Sequence, residues 1–194
     1  MLTKDLSKNE LVAILDVIER ARNCMGTSGL KDLIMRAREL VSADYAICGI
    51  GRIMDDRVEL VSVINGNYPT GWLSHYTADR LYYNDPVLNY LKRFSITQFW
   101  DGIFRDFSDP RAREVINYAS EYDLKTGIST AIYMPDDELI GVFSFASGKE
   151  KFTERSRKIV DMLALHLNKA LFEAVSPAAG APGPELNTGL SVRF

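Results

Sequence analysis

The chain has 194 residues, is 46% hydrophobic and 25% charged, and carries a formal net charge of −3. That size and apolar share suit one globular domain with a short tail, and the slight acidity excludes a whole-chain electrostatic footprint for nucleic acid. The first ten residues are too polar for a signal peptide, no apolar run would span a membrane, and Cys24 and Cys48 lack metal-ligand spacing, so a cytoplasmic protein is expected.

Leu11, Ile14, Leu15, Ile18 and Ala21 recur at helical spacing, which predicts an amphipathic helix from about 8 to about 24. Gly26 to Gly29 breaks it, and Ser28 is the expected N-cap of a second helix carrying Leu30, Leu33, Ile34, Ala37 and Leu40. From Tyr45 the apolar residues become β-branched and alternating. Two strands joined at Asp55-Asp56 are expected, the second ending at Asn65-Gly66-Asn67. A short helix should begin near Thr70 and place Trp72 and Tyr76 on one face. Asn84-Asp85-Pro86 opens another helix, because proline is tolerated at the first helical position.

Residues 95–101 read as a short extended piece ending at Trp100, and Asp109-Pro110 starts a helix through about Tyr122. Ile128–Met134 and Leu139–Ser147 form a second hairpin around Pro135-Asp136-Asp137, and Thr153 caps a long final helix that is apolar on more than one face. Ser176 to Pro184 has linker composition. Helices, hairpin, helices, hairpin and helix in that order predict an α+β fold, an α/β/α layered sandwich with an antiparallel sheet of about five strands and helices on both faces.

The sequence supports no catalysis. His75 and His166 sit outside any nucleophile motif, with His75 expected at the surface and His166 as a packing residue. The pair Gly49 and Gly51 lies within a strand and lacks the rest of a dinucleotide loop, and two scattered histidines and cysteines make no metal site. What remains is a run of aromatic rings with polar tips around one acid: Tyr68, Trp72, Tyr76, Asp85 and Trp100. Such a set lines an apolar pocket with a few aimed hydrogen bonds. Asp85 has a second explanation as the N-cap before Pro86, and the rings have one as core residues. Ser144, in the apolar run Gly-Val-Phe-Ser-Phe-Ala, needs a hydrogen-bond partner if buried.

Trp72-x-x-x-Tyr76, Asp85-Pro86-Val87, Trp100, Gly127, Gly141 and Ser144 together resemble the autoinducer-binding domain of the LuxR family of quorum-sensing regulators, over about residues 8–175. The resemblance implies a sensor that is not an enzyme, needs no cofactor or metal and binds an N-acyl homoserine lactone. Trp72 would donate to the lactone carbonyl and Asp85 would accept the ligand amide N–H, while Tyr76 and Ser144 would serve the acyl carbonyl. Trp100 would pack on the lactone ring, Tyr68 and Val87 would wall the site, Gly141 would let backbone and ligand approach, and Gly127 would be a packing position. The resemblance also implies a homodimer. Residues 1–175 would be the autoinducer-binding domain, and 176–194 a linker plus the start of a helix-turn-helix domain that this chain lacks. This chain would therefore not bind DNA by itself, nor a membrane. The alternatives are an orphan receptor for another small molecule and a shortened dimerisation or inhibitory protein.

Overall fold

A computed structural model of the protein describes residues 6–55, 57–134, 138–149 and 151–175. Both expected hairpin turns fall partly or wholly outside these residues, as do the linker and everything after it.

Helix α1 (Lys8–Arg22) starts at a capping box: Ser7 Oγ accepts from Glu10 N–H, and the Glu10 carboxylate accepts from Ser7 N–H at 2.6 Å. Helix α2 (Gly26–Leu40) begins two residues before the expected Ser28 cap. Its N-cap is Met25, with no side-chain bond, and Gly26 takes the left-handed φ of 62° that starts the turn. Strands β1 (Tyr45–Met54) and β2 (Arg57–Asn65) pair antiparallel, with a bulge between Ile50 and Gly51.

The loop after β2 is stapled rather than loose. Asn65 Oδ1 accepts from Tyr68 N–H at 2.7 Å and its Nδ2 donates to the Tyr68 carbonyl at 3.0 Å, while Asn67 bridges Ala46 N–H and the Asp44 carbonyl. These bonds deliver Tyr68 to one place at the start of α3 (Thr70–Ala78). A 3-10 turn (Leu81–Tyr83) follows, entered through Arg80 at φ 52°, and leads to α4 (Pro86–Arg93).

Strand β3 (Gln98–Phe99) is only two residues long, and Trp100 begins a helix, α5 (Trp100–Asp106), instead of ending an extended piece. Helix α6 (Pro110–Glu121) is capped by Asp109, as its sequence predicts. Strands β4 (Thr126–Tyr133) and β5 (Leu139–Ser147) pair antiparallel, and α7 (Glu154–Val175) closes the described chain.

The sheet order is β2-β1-β5-β4-β3, antiparallel throughout. Helices α1, α2 and α7 pack on one face, burying Ile14, Leu30, Ile34, Phe143, Phe145, Ile159 and Leu163. The pocket-side helices α3 to α6 cover the other face, with Trp72, Leu91, Trp100, Ile103 and Val115 against Ala131, Ile140 and Val142. Alternation along β5 separates the two cores: Phe143 and Phe145 face α7, whereas Val142 and Ser144 face the other way. The expected five-stranded sandwich is therefore the fold. Only the second layer carries the aromatic set.

Candidate functional site

Between the sheet and α3–α6 lies a cavity of about 120 Å³, roughly eight to twelve times the space one water needs. Its walls are apolar side chains of β1, β2, β5 and the four helices, among them Ile47, Val58, Leu60, Leu73, Phe104 and Val115. Tyr68, Trp72, Tyr76, Asp85, Val87, Trp100 and Ser144 all line it. Seven expected site residues from α3, α4, α5, β5 and the loop before α3 thus converge on one space. Among the described residues, Asp85 is the single charged side chain in the lining; no lysine, arginine or histidine stands with it.

Asp85 does two jobs at once. As N-cap of α4, its Oδ1 accepts from Val87 N–H at 2.7 Å and Leu88 N–H at 3.4 Å. Its Oδ2 accepts from the Tyr76 hydroxyl at 2.6 Å, which ties α3 to α4. A carboxylate has about four lone-pair sites, so Oδ2 keeps room for one more donor. Burial pushes the Asp85 carboxyl up from its ordinary 3.8, against the downward pull of the Tyr76, Val87 and Leu88 bonds. Burial, with the nearby Asp85 charge, also raises Tyr68 and Tyr76 well above 10, so both phenols stay protonated donors.

In this structure the one proton of the Tyr76 hydroxyl is donated to Asp85, whereas the expected role points it at an acyl carbonyl. Tyr68 has the complementary property. It is 5% exposed, and its hydroxyl has no hydrogen-bond partner among the described residues. The residue expected merely to wall the site is thus its free donor. Trp72 packs against Tyr76 with ring centroids 5.2 Å apart and is backed by Tyr118 of α6 and by Tyr122, the C-cap of that helix, at 5.8 and 6.3 Å. His75, exposed as expected, is hydrogen-bonded through Nδ1 to the Tyr118 hydroxyl.

Trp100 stands over β4. A Cβ on Gly127 would overlap its indole ring, which confirms close packing there and explains the absent side chain. The Trp100 Nε1–H donates to Ser129 Oγ at 2.8 Å, and Ser129 Oγ lies 2.7 Å from Ser144 Oγ, its register partner across the β4–β5 ladder. Sequence reasoning missed Ser129. The signal for it was available only jointly: a serine two residues after Gly127 in an apolar strand, facing a donor-only indole.

Gly141 requires a correction. The space a Cβ would fill is occupied by the Asn168 side chain of α7, with Phe172 Cε2 at 3.1 Å. The close approach that Gly141 permits is that of a helix on the far face of the sheet, and it does not line the cavity. Among the described residues, no three His, Cys, Asp or Glu side chains are placed to hold a metal, and no helix is long and apolar enough to cross a membrane.

Residues 26–171 match the family of autoinducer binding domains. The transcriptional activator protein LuxR of Aliivibrio fischeri is 25% identical over 155 residues, which cover 79% of this chain and 59% of that protein. The chain thus spans about three fifths of the length of this relative. Among solved structures, the N-acylhomoserine lactone-dependent LuxR-family factor CepR2 of Burkholderia cenocepacia superposes with a TM-score of 0.72 at 16% identity, covering 86% of this chain and 98% of that one. Residues 1–171 of E. coli SdiA give 0.62 at 20% identity, with 86% and 96% covered. SdiA in complex with octanoyl-rac-glycerol gives 0.61 at 17% identity, with 91% and 73% covered. At these identities the structural likeness concerns the fold.

Proposed function

The chain belongs to the autoinducer binding domain family of LuxR-type quorum-sensing regulators, and on that premise we propose that it senses an N-acyl homoserine lactone held in the cavity between the sheet and α3–α6. The observation that carries the reading is the Tyr68 hydroxyl: buried, unpartnered, and beside an uncompensated carboxylate in an otherwise apolar space. Buried polar groups are almost always paired, and a ligand is the partner that would complete these.

The ligand amide N–H donates to the free lone pair of Asp85 Oδ2, a charge-assisted bond. Tyr68 donates to the acyl carbonyl from one side and Ser144 from the sheet side. Trp72 donates its indole N–H to the lactone carbonyl, Trp100 and Val87 pack on the ring and the start of the chain, and the acyl tail runs among the apolar residues of β1, β2 and α6. Nothing in this scheme breaks a covalent bond, so the domain acts as a receptor and not as an enzyme. In a full-length regulator, a DNA-binding domain beyond residue 175 would read this event; the working protein would be a cytoplasmic homodimer, and this portion alone would not bind DNA.

Ligand that binds only the folded state raises stability, by roughly 2.7 kcal/mol at a hundredfold excess over Kd. Thermal melting with a series of acyl homoserine lactones should show a rise in Tm with at least one chain length. No shift with any of them overturns the proposal. A second reading is favoured by the same carboxylate, because an acylglycerol like that in one SdiA structure also offers an O–H donor and an acyl carbonyl. A larger shift with octanoyl glycerol than with every lactone would select it.

A further inference from the structure

Three hydroxyl and N–H groups form a line between two residues of the cavity lining, Trp100 and Ser144, through Ser129 behind them. Trp100 Nε1 lies 2.8 Å from Ser129 Oγ, and Ser129 Oγ lies 2.7 Å from Ser144 Oγ. Ser129 is fully buried and takes no part in the cavity lining, whereas Ser144 does. The indole N–H can only donate, so Ser129 Oγ must accept it. Ser129 then has its own proton to place, and Ser144 Oγ is its one other partner among the described residues. Leaving a buried O–H unpaired is unfavourable, so the Ser129 proton goes to Ser144. The direction of the line is thereby set: Trp100 to Ser129 to Ser144. Ser144 has its own proton left over, and the open side is the cavity.

We propose that Ser129 is a specificity-determining positioning residue, which polarises Ser144 as a donor and so makes the site select ligands that present a carbonyl oxygen to β5. The inference rests on the ligand-sensing reading above. Across the cavity Asp85 can only accept while ionised, so the two ends of the site ask for opposite things. A trans secondary amide satisfies both, because its planar geometry sends N–H and C=O to opposite edges. A plain ester lacks the donor, and an alkylamine lacks the acceptor. Ser129 thus fixes the carbonyl-seeking half of a pairing that an N-acyl amide completes, whatever the chain length.

The test compares an N-acyl homoserine lactone, of the chain length that gives the largest thermal shift, with its thioamide counterpart, whose sulfur is a poor acceptor. The wild-type domain should bind the amide at least roughly five- to tenfold more tightly than the thioamide, each hydrogen bond to the carbonyl oxygen contributing about that factor. Ser144→Ala should lower the ratio to the part that the Tyr68 bond supplies. Ser129→Ala should lower it nearly as far although Ser129 touches no ligand, and Ser129→Thr, which keeps the hydroxyl, should restore it.

A ligand-free measurement runs in parallel: the indole N–H resonance of Trp100, one of only two tryptophans, by ¹⁵N-edited NMR. Ser129→Ala should displace it strongly, and Ser144→Ala should displace it less but in the same direction. A wild-type ratio retained by Ser129→Ala, or a Trp100 resonance indifferent to Ser144→Ala, overturns the proposal. If the resonance responds as expected and no lactone or thioamide binds, the ligand-sensing reading fails, and the selectivity falls with it.

Discussion

Tyr76 and Asp85 hold each other across the junction of two helices: the phenol donates to Oδ2 at 2.6 Å while Oδ1 caps α4 at Val87 N–H, 2.7 Å away. One carboxylate therefore fixes the angle between α3 and α4 and also faces the cavity. Folding and the proposed recognition share this residue, and substitutions can separate the two.

Asp85→Asn keeps an N-cap of about equal quality and removes a buried charge without a cation. The removed buried charge offsets the acceptor that Tyr76 loses, so the ligand-free protein should keep its Tm nearly unchanged, while lactone affinity falls at least tenfold, as read by calorimetry or thermal shift. Asp85→Ala removes the cap as well and leaves Val87 N–H, Leu88 N–H and the Tyr76 hydroxyl without their acceptor. It should lose about 1–3 kcal/mol in urea unfolding. Unchanged lactone binding by Asp85→Asn would leave capping as the residue's whole purpose.

The raised pKa of Asp85 has a defined sign. The folded protein binds this proton more tightly than the unfolded chain, so the stability it contributes is fully present below 3.8 and is lost as pH rises through the higher folded value. A ligand N–H needs the ionised carboxylate, so the ligand-induced rise in Tm should grow with pH across that same window. Melting curves with and without lactone from about pH 4 to about pH 8 read the effect, which Asp85→Asn should abolish.

Tyr68→Phe removes a buried hydroxyl that has no partner in the ligand-free protein. The expected result is unusual for a core substitution: unfolding free energy unchanged or raised, by up to about 1–3 kcal/mol, together with roughly five- to tenfold weaker lactone binding. Tyr76→Phe should do the opposite to the ligand-free form, because it strips Asp85 of a donor and loosens α3 from α4.

The two glycines of the β4–β5 hairpin should behave differently toward ligand. Gly127→Ala drives a methyl into the Trp100 ring and should cost about 1–3 kcal/mol, with lactone affinity reduced because Trp100 and its bond to Ser129 move. Gly141→Ala meets Asn168 and Phe172 of α7 on the opposite face. It should destabilise too, but leave lactone affinity within about twofold once measured on the folded fraction. Urea unfolding and calorimetry on both variants check the contrast.

The sequence by itself determined the sandwich and most of the element order, missing helix α5, because helical and strand periodicities, Asp-Pro caps and Asn-Gly turns are local signals. The family resemblance, and not those signals, named the seven residues that line the cavity. The sequence marked Asp85 as either a cap or a binding group, and the local chemistry is the same for both. What tertiary structure decided is which hydrogen bond each polar atom has already made. Tyr76 gives its proton to an aspartate nine residues on, Tyr68 finds no acceptor, and Ser144 meets a serine fifteen residues away across the ladder. These pairings depend on strand register and helix angle, not on spacing along the chain. Gly141 and Ser129 show the same limit from two sides. Alternation says that adjacent strand residues face opposite ways, but not which way is the cavity. Only the stacking of α7 on one face and of α3–α6 on the other sends Gly141 to a helix and puts Ser129 between Trp100 and Ser144.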